Sequence, residues 1–158
     1  MKTLFYSMLL VMSIASTICD GQSKQQGSLE EAKKAIAESN ARYFVLYAKN
    51  DGSVVNLYTD DACLFVPGAG PTAFCGHAAI GKFFKEGYEV VGLKSGKFTT
   101  TNVYGDGIEY VTEEGLSQMF DASGKLYDEG KYLVLWKKTK AGWKMYKDIF
   151  NSNQAPKK

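Results

Sequence analysis

Hydrophobic positions recur every three or four residues early in the chain and every second residue in its last third. Leu29, Ala32, Ile36, Tyr43, Leu46 and Tyr47 form a single apolar stripe at helical spacing. Ser28 and Glu31 have capping-box spacing, so the helix is expected to open at Ser28 behind a frayed polar segment, residues 22–27. Asn50, Asp51 and Gly52 end it, and residues 53–58 read as a short second helix with Val54, Val55 and Leu57 turned inward. Asp60 and Asp61 open a strand in which Cys63 and Phe65 face one way and Ala62, Leu64 and Val66 the other. A Pro/Gly turn over residues 67–71 follows, then a helix with Ile80, Phe83, Phe84 and Tyr88 on its buried side.

Beyond Leu93 the period drops to two. Alternating segments over 97–104, 108–120, 126–138 and 143–151 are separated by turn signals at 105–107, 122–125 and 141–142. In the third segment Tyr132, Val134 and Trp136 oppose Leu133 and Leu135; in the last, Tyr146, Asp148 and Phe150 share a face. Long strands with one apolar face need a cover, and the helices supply it, which predicts an α+β layer fold with the helices first and a meander after.

The chain of 158 residues fits one domain, and 45% hydrophobic content can fill a core. The net charge of +2 is spread over interspersed signs, which excludes a dedicated nucleic-acid binder. Lys2 followed by the apolar run 4–15 reads as a signal peptide, residues 1–21, with cleavage after Cys19 or Gly21. The run is too short for a membrane span. A secreted protein is therefore expected, with a single domain over 28–153, a disordered tail over 154–158 and no membrane attachment after cleavage. Cleavage leaves Cys63 and Cys75, which face each other across the turn and form either a disulfide or two buried free thiols.

The blocks YTDDA, P-G, GHAAI, GDGIEY, GKYLVLWKK and GWKMYKDIFNSN, in that order, resemble the nuclear-transport-factor-two-like superfamily, in its SnoaL-like and ketosteroid-isomerase-like branch. The resemblance spans about residues 28–153. It implies a cone: N-terminal helices packed on a curved antiparallel sheet of cystatin-like topology, enclosing an apolar pocket. A binding module of this shape is expected to be a homodimer formed through the sheet's outer face. In ketosteroid isomerase an aspartate base works beside an oxyanion hole of a tyrosine and a neutral aspartate. The tyrosine falls on Tyr43, but the two acid positions fall on Val66 and Val134, and a valine moves no proton.

Other residues then carry any chemistry. Asp148, on a strand face with aromatics, is a candidate acid or base, or else the partner of a cation such as Arg42. Tyr43 is its candidate donor or a core tyrosine. Tyr47, Phe65, Val66, Tyr110, Met119, Val134, Trp136 and Phe150 are candidate pocket-lining residues. Asp60 and Asp61 are either paired carboxylates or turn caps. His77, the single histidine, belongs to a helix first turn. One histidine and two mature cysteines make no zinc site, and no cofactor is implied. Binding of a small apolar molecule or a protein partner is the expected function. An isomerase, cyclase or hydrolase using Asp148 and Tyr43 is the alternative, and an extracellular structural or matrix protein a third.

Overall fold

The computed structural model describes residues 15–154, with side chains from residue 28 onward. Most of the expected leader lies outside the described residues. The helix α1 spans Ala15–Ala48 and runs straight through Ser28. Ser28 is therefore not an N-cap, and residues 22–27 are helical rather than frayed. The capping-box spacing is a local signal, and it loses here because no proline interrupts the Gln-rich stretch ahead of it.

A 3₁₀ turn, Ser53–Leu57, leads into β1, Tyr58–Phe65; β2, Phe74–Cys75, is followed at once by α2, Gly76–Glu86. A π-helical turn, Gly87–Val91, then joins four long strands: β3, Leu93–Gly105; β4, Tyr110–Asp121; β5, Leu126–Thr139; and β6, Gly142–Ser152. These form one six-stranded sheet in the order β2-β1-β6-β5-β4-β3. All pairings are antiparallel except β1 with β6, which is parallel and joins the early strand to the end of the meander.

The inner face carries the core. Ala32, Ile36, Tyr43 and Tyr47 of α1 pack on Val111, Val134, Trp136 and Met145 of the sheet, with Ile80 and Phe84 of α2 closing the side. The alternation in β1 is as expected, with Ala62 and Leu64 buried and Phe65 exposed. A bulge between β5 and β6 changes the last strand, because Leu135 pairs with Lys147 while Trp136 pairs with Met145. Met145 and Asp148 consequently both point inward, and Tyr146 does not share the Asp148 face. The extra residue of a bulge breaks the period of two that any sequence pattern assumes.

Close approach of α1 to β3 depends on a missing side chain. A Cβ on Gly96 would overlap the ring of Phe44 and lie 2.8 Å from the Gln118 carbonyl oxygen. Gly96→Val is expected to lose about 1–3 kcal/mol in urea denaturation, the usual cost of overpacking. Adding Phe44→Ala should recover part of that loss.

Candidate functional site

Three polar side chains from three elements meet inside the cone. Tyr43 comes from the buried stripe of α1, Tyr58 from the first position of β1, and Asp148 from β6 beside Val134 of β5 and Leu64 of β1. Tyr58 donates its hydroxyl proton to Asp148 Oδ2 at 2.7 Å. The hydroxyls of Tyr43 and Tyr58 lie 3.4 Å apart. Since the Tyr58 proton is committed to the carboxylate, Tyr43 is the donor in that second contact. The result is a hydrogen-bonded chain, Tyr43 to Tyr58 to Asp148, with aromatic rings around it. Phe84 meets Tyr43 edge-on at 5.9 Å between centroids, and Phe98 meets it at 4.9 Å.

Burial dominates the electrostatics. It pushes the Asp148 carboxyl up to about 6; the Tyr58 hydrogen bond opposes the shift and the charge of Glu113 adds to it. Burial, then the Asp148 charge, push both Tyr43 and Tyr58 well above the ordinary phenol range, so both stay protonated donors. Among the described residues Asp148 has no cationic partner, and Arg42 is exposed. Oδ2 is the only Asp148 oxygen that takes a hydrogen bond among them.

Glu113 of β4 is the second interior acid, with no exposed surface. Its Oε1 accepts from Asn40 Nδ2 at 2.7 Å, Thr100 Oγ1 at 2.6 Å and the Tyr132 hydroxyl at 2.7 Å, and Oε2 accepts from Trp136 Nε1 at 3.0 Å. Four donors from α1, β3 and β5 leave this carboxylate little free capacity for a ligand. Sequence reading missed Glu113 and Tyr58. The signal for Glu113 was its parity with Val111 in β4, which makes it a charged residue on the inward face.

The other expected residues scatter. Tyr47 donates to the Leu93 carbonyl at 3.3 Å, and burial pushes its hydroxyl up to about 12. Trp136 and Val134 are buried, and Val66 and Phe150 are half-buried against the core. Met119 is half-buried on β4, paired with Gly96. Phe65 and Tyr110 do not face the interior. Phe65 is exposed on the outer side of β1, and Tyr110 stands on the outer face against Tyr146, with ring centroids 6.1 Å apart. Each has the strand parity opposite to a buried neighbour, Leu64 and Val111. His77 sits in the first turn of α2, where its Nε2–H donates to the Tyr58 carbonyl at 3.1 Å and lies 3.7 Å from Asp60. Asp60 and Asp61 are both exposed.

A carboxyl held at about 6 against an ordinary 3.8 binds its proton more tightly in the folded than in the unfolded chain. Stability associated with Asp148 is therefore fully present below about pH 4 and is lost as pH rises through about 6. Asn keeps an acceptor for Tyr58 without the charge. Across pH 4 to 7.5, chemical denaturation should show Asp148→Asn gaining about 2–3 kcal/mol relative to the unsubstituted chain. A constant difference would place the Asp148 charge in water.

No protein-family model matches the sequence, and no curated protein matches it. Solved structures do match. One is a nuclear-transport-factor-two-like protein with a cystatin-like fold from Novosphingobium aromaticivorans, at 19% identity and a TM-score of 0.69 over 92% of this chain and 94% of that one. A domain of unknown function with a cystatin-like fold from Nostoc punctiforme has 12% identity and a TM-score of 0.66 over 78% of each chain. A ketosteroid isomerase-like protein from Erwinia carotovora atroseptica has 16% identity and a TM-score of 0.62 over 81% of this chain and 98% of that one. The protein thus has the cystatin-like, nuclear-transport-factor-two-like α+β fold that its sequence blocks resembled.

Proposed function

We propose that the protein is a secreted binding domain that takes a small, largely apolar molecule at the Asp148 end of the cone and works as a homodimer. The observation that carries the first part is the uneven satisfaction of Asp148. Its carboxylate is buried, yet among the described residues a single donor serves it. Half-buried Phe74, Phe83 and Phe150 lie together, with Phe83 5.3 Å from Phe74 and 6.4 Å from Phe150 between ring centroids. A ligand with an apolar body and one hydroxyl or amine suits such surroundings. Cys63 and Cys75 are joined by a disulfide, and this bond, together with the lack among the described residues of a helix long and apolar enough to cross a membrane, is compatible with secretion.

The chain of Tyr43, Tyr58 and Asp148 also favours a second reading, an isomerase, cyclase or hydrolase in which Asp148 handles a proton. Asp148→Asn separates the two. A binder keeps weakened affinity for its ligand, whereas an enzyme with this base loses turnover. The binding reading predicts a rise in melting temperature with at least one hydroxylated apolar compound, such as a sterol or fatty alcohol, and a smaller rise for Asp148→Asn. A flat response across such a library would count against it.

The homodimer reading is supported by the outer face of the sheet. Phe65, Leu116, Leu133 and Ile149 stand there 42%, 45%, 41% and 49% exposed on the four strands β1, β4, β5 and β6. A groove of about 500 Å³ runs past Leu116, Leu133 and Ile149 and is flanked by Glu114 and Lys131. Opposite charges beside one apolar strip allow a two-fold partner to place each charge near its complement. Leu133→Asp should convert the dimer to monomer in sedimentation velocity with the melting temperature little changed. A parent chain that already sediments as a monomer would remove this part of the proposal.

A further inference from the structure

The binding reading leaves the Cys63–Cys75 disulfide unused. Strand register puts three side chains in one row across neighbouring strands: Lys147 of β6 beside Cys63 of β1, and Cys63 beside Cys75 of β2. Lys147 Nζ is 3.4 Å from Cys63 Sγ and 3.4 Å from the Asp61 carbonyl oxygen. Cys75 is exposed, in a two-residue strand at the sheet edge, and is the residue from which the eleven-residue α2 starts. The two sulfurs therefore differ: one is open to attack, and the other lies against an ammonium group.

We propose that Cys63–Cys75 is a thiol-exchange site at which a low-molecular-weight or protein dithiol attacks Cys75 and Cys63 departs as a thiolate held by Lys147. In the first step the incoming thiolate forms a bond to Cys75 Sγ. The Cys63–Cys75 bond breaks, and its electron pair stays on Cys63 Sγ. In the second, the reductant's other thiolate attacks its own sulfur in the mixed disulfide and releases Cys75 as a thiolate at the α2 N-terminus. The dithiol supplies both electrons and ends as a disulfide, and its two thiol protons pass to solvent. Exchange is fastest toward a leaving thiol of low pKa, and a neighbouring cation or a helix N-terminus lowers a thiol pKa. Lys147 and α2 provide one of these to each sulfur.

The other charges nearby do not cancel this arrangement. Asp61 Oδ2 lies 3.9 Å from Lys137 Nζ on β5, and Lys137 acts on that exposed carboxylate more strongly than Lys147 does. On α2, His77 points at the Tyr58 carbonyl and at the fully exposed Asp60. Lys147 Nζ also lies over the Tyr146 ring, 4.0 Å from its centroid, so the ring as well as the Asp61 carbonyl holds the ammonium near the sulfur. Reduction would free β2 and the start of α2. That helix carries Phe83 and Phe84, and Phe84 packs on Tyr43 and Tyr58, so the redox state reaches the interior site.

The test uses the full mature chain. After reduction, the rate of iodoacetamide labelling of each cysteine is followed against pH by mass spectrometry. Cys63 is expected to label with a midpoint at least about one pH unit below the ordinary thiol value near 8.5. Lys147→Gln should move that midpoint back up and slow reduction by dithiothreitol at pH 7 several-fold, and Lys147→Arg should restore both. Brief exposure of the oxidised chain to glutathione, followed by acid quench, should trap glutathione on Cys75. An ordinary Cys63 midpoint overturns the proposal, including one caused by unfolding of the reduced chain. So does a midpoint indifferent to Lys147→Gln, or glutathione found on Cys63. None of these readouts involves the apolar ligand, so the exchange site and the binding reading can fail separately.

Discussion

A carboxylate with no exposed surface must find inside the protein everything that water would have given it, and Glu113 finds it from three elements at once. Asn40 reaches it from α1, Thr100 from β3, and Tyr132 and Trp136 from β5. Desolvating an ion is costly, and the cost is offset only when charge-assisted hydrogen bonds use most of its lone pairs. All four donors therefore depend on one register of β3 on β4 on β5 and one seating of α1. A slip of one residue in β4 would turn Glu113 outward and leave Trp136 and Tyr132 without an acceptor in the core. The carboxylate thus specifies the arrangement of the cone as much as it stabilises it.

Asp148 shows the opposite balance. The same interior desolvates it, but among the described residues a single tyrosine serves it, and Glu113 adds repulsion. An acid in that position keeps part of its binding capacity, and its protonation state is sensitive to pH near 6. Two acids in one core, one saturated and one not, divide naturally into a structural and a functional candidate.

The bulge in β6 matters to both faces. By inserting Tyr146 between Met145 and Lys147 it sends Asp148 into the cone, and it leaves Lys147 beside Cys63 on the other side. The interior acid and the cation at the disulfide are neighbours in sequence and are separated by the thickness of the sheet. A bulge is a small irregularity in hydrogen bonding, yet here it decides which side each functional group occupies.

Much of this was legible beforehand. The apolar stripe of α1, the alternation of β1 and β5, the turn positions and the cross-strand placing of Cys63 and Cys75 follow from periods of 3.6 and 2, and these are properties of the local chain. Asp148 stood out as an acid on a strand with aromatics, but its inward facing comes from the bulge and not from the period of two. Ser28 as a helix start, Tyr146 on the Asp148 face, and Phe65 and Tyr110 as interior residues did not survive. A cap, a bulge or the facing of a strand depends on what packs against it. The joining of Tyr43, Tyr58 and Asp148 was decided only in three dimensions, because the parallel pairing of β1 with β6 brings together residues 90 apart along the chain, Tyr58 and Asp148. Periodicity records which side of an element is buried, whereas the partner across the core is set by the energy of burying two charges in one register.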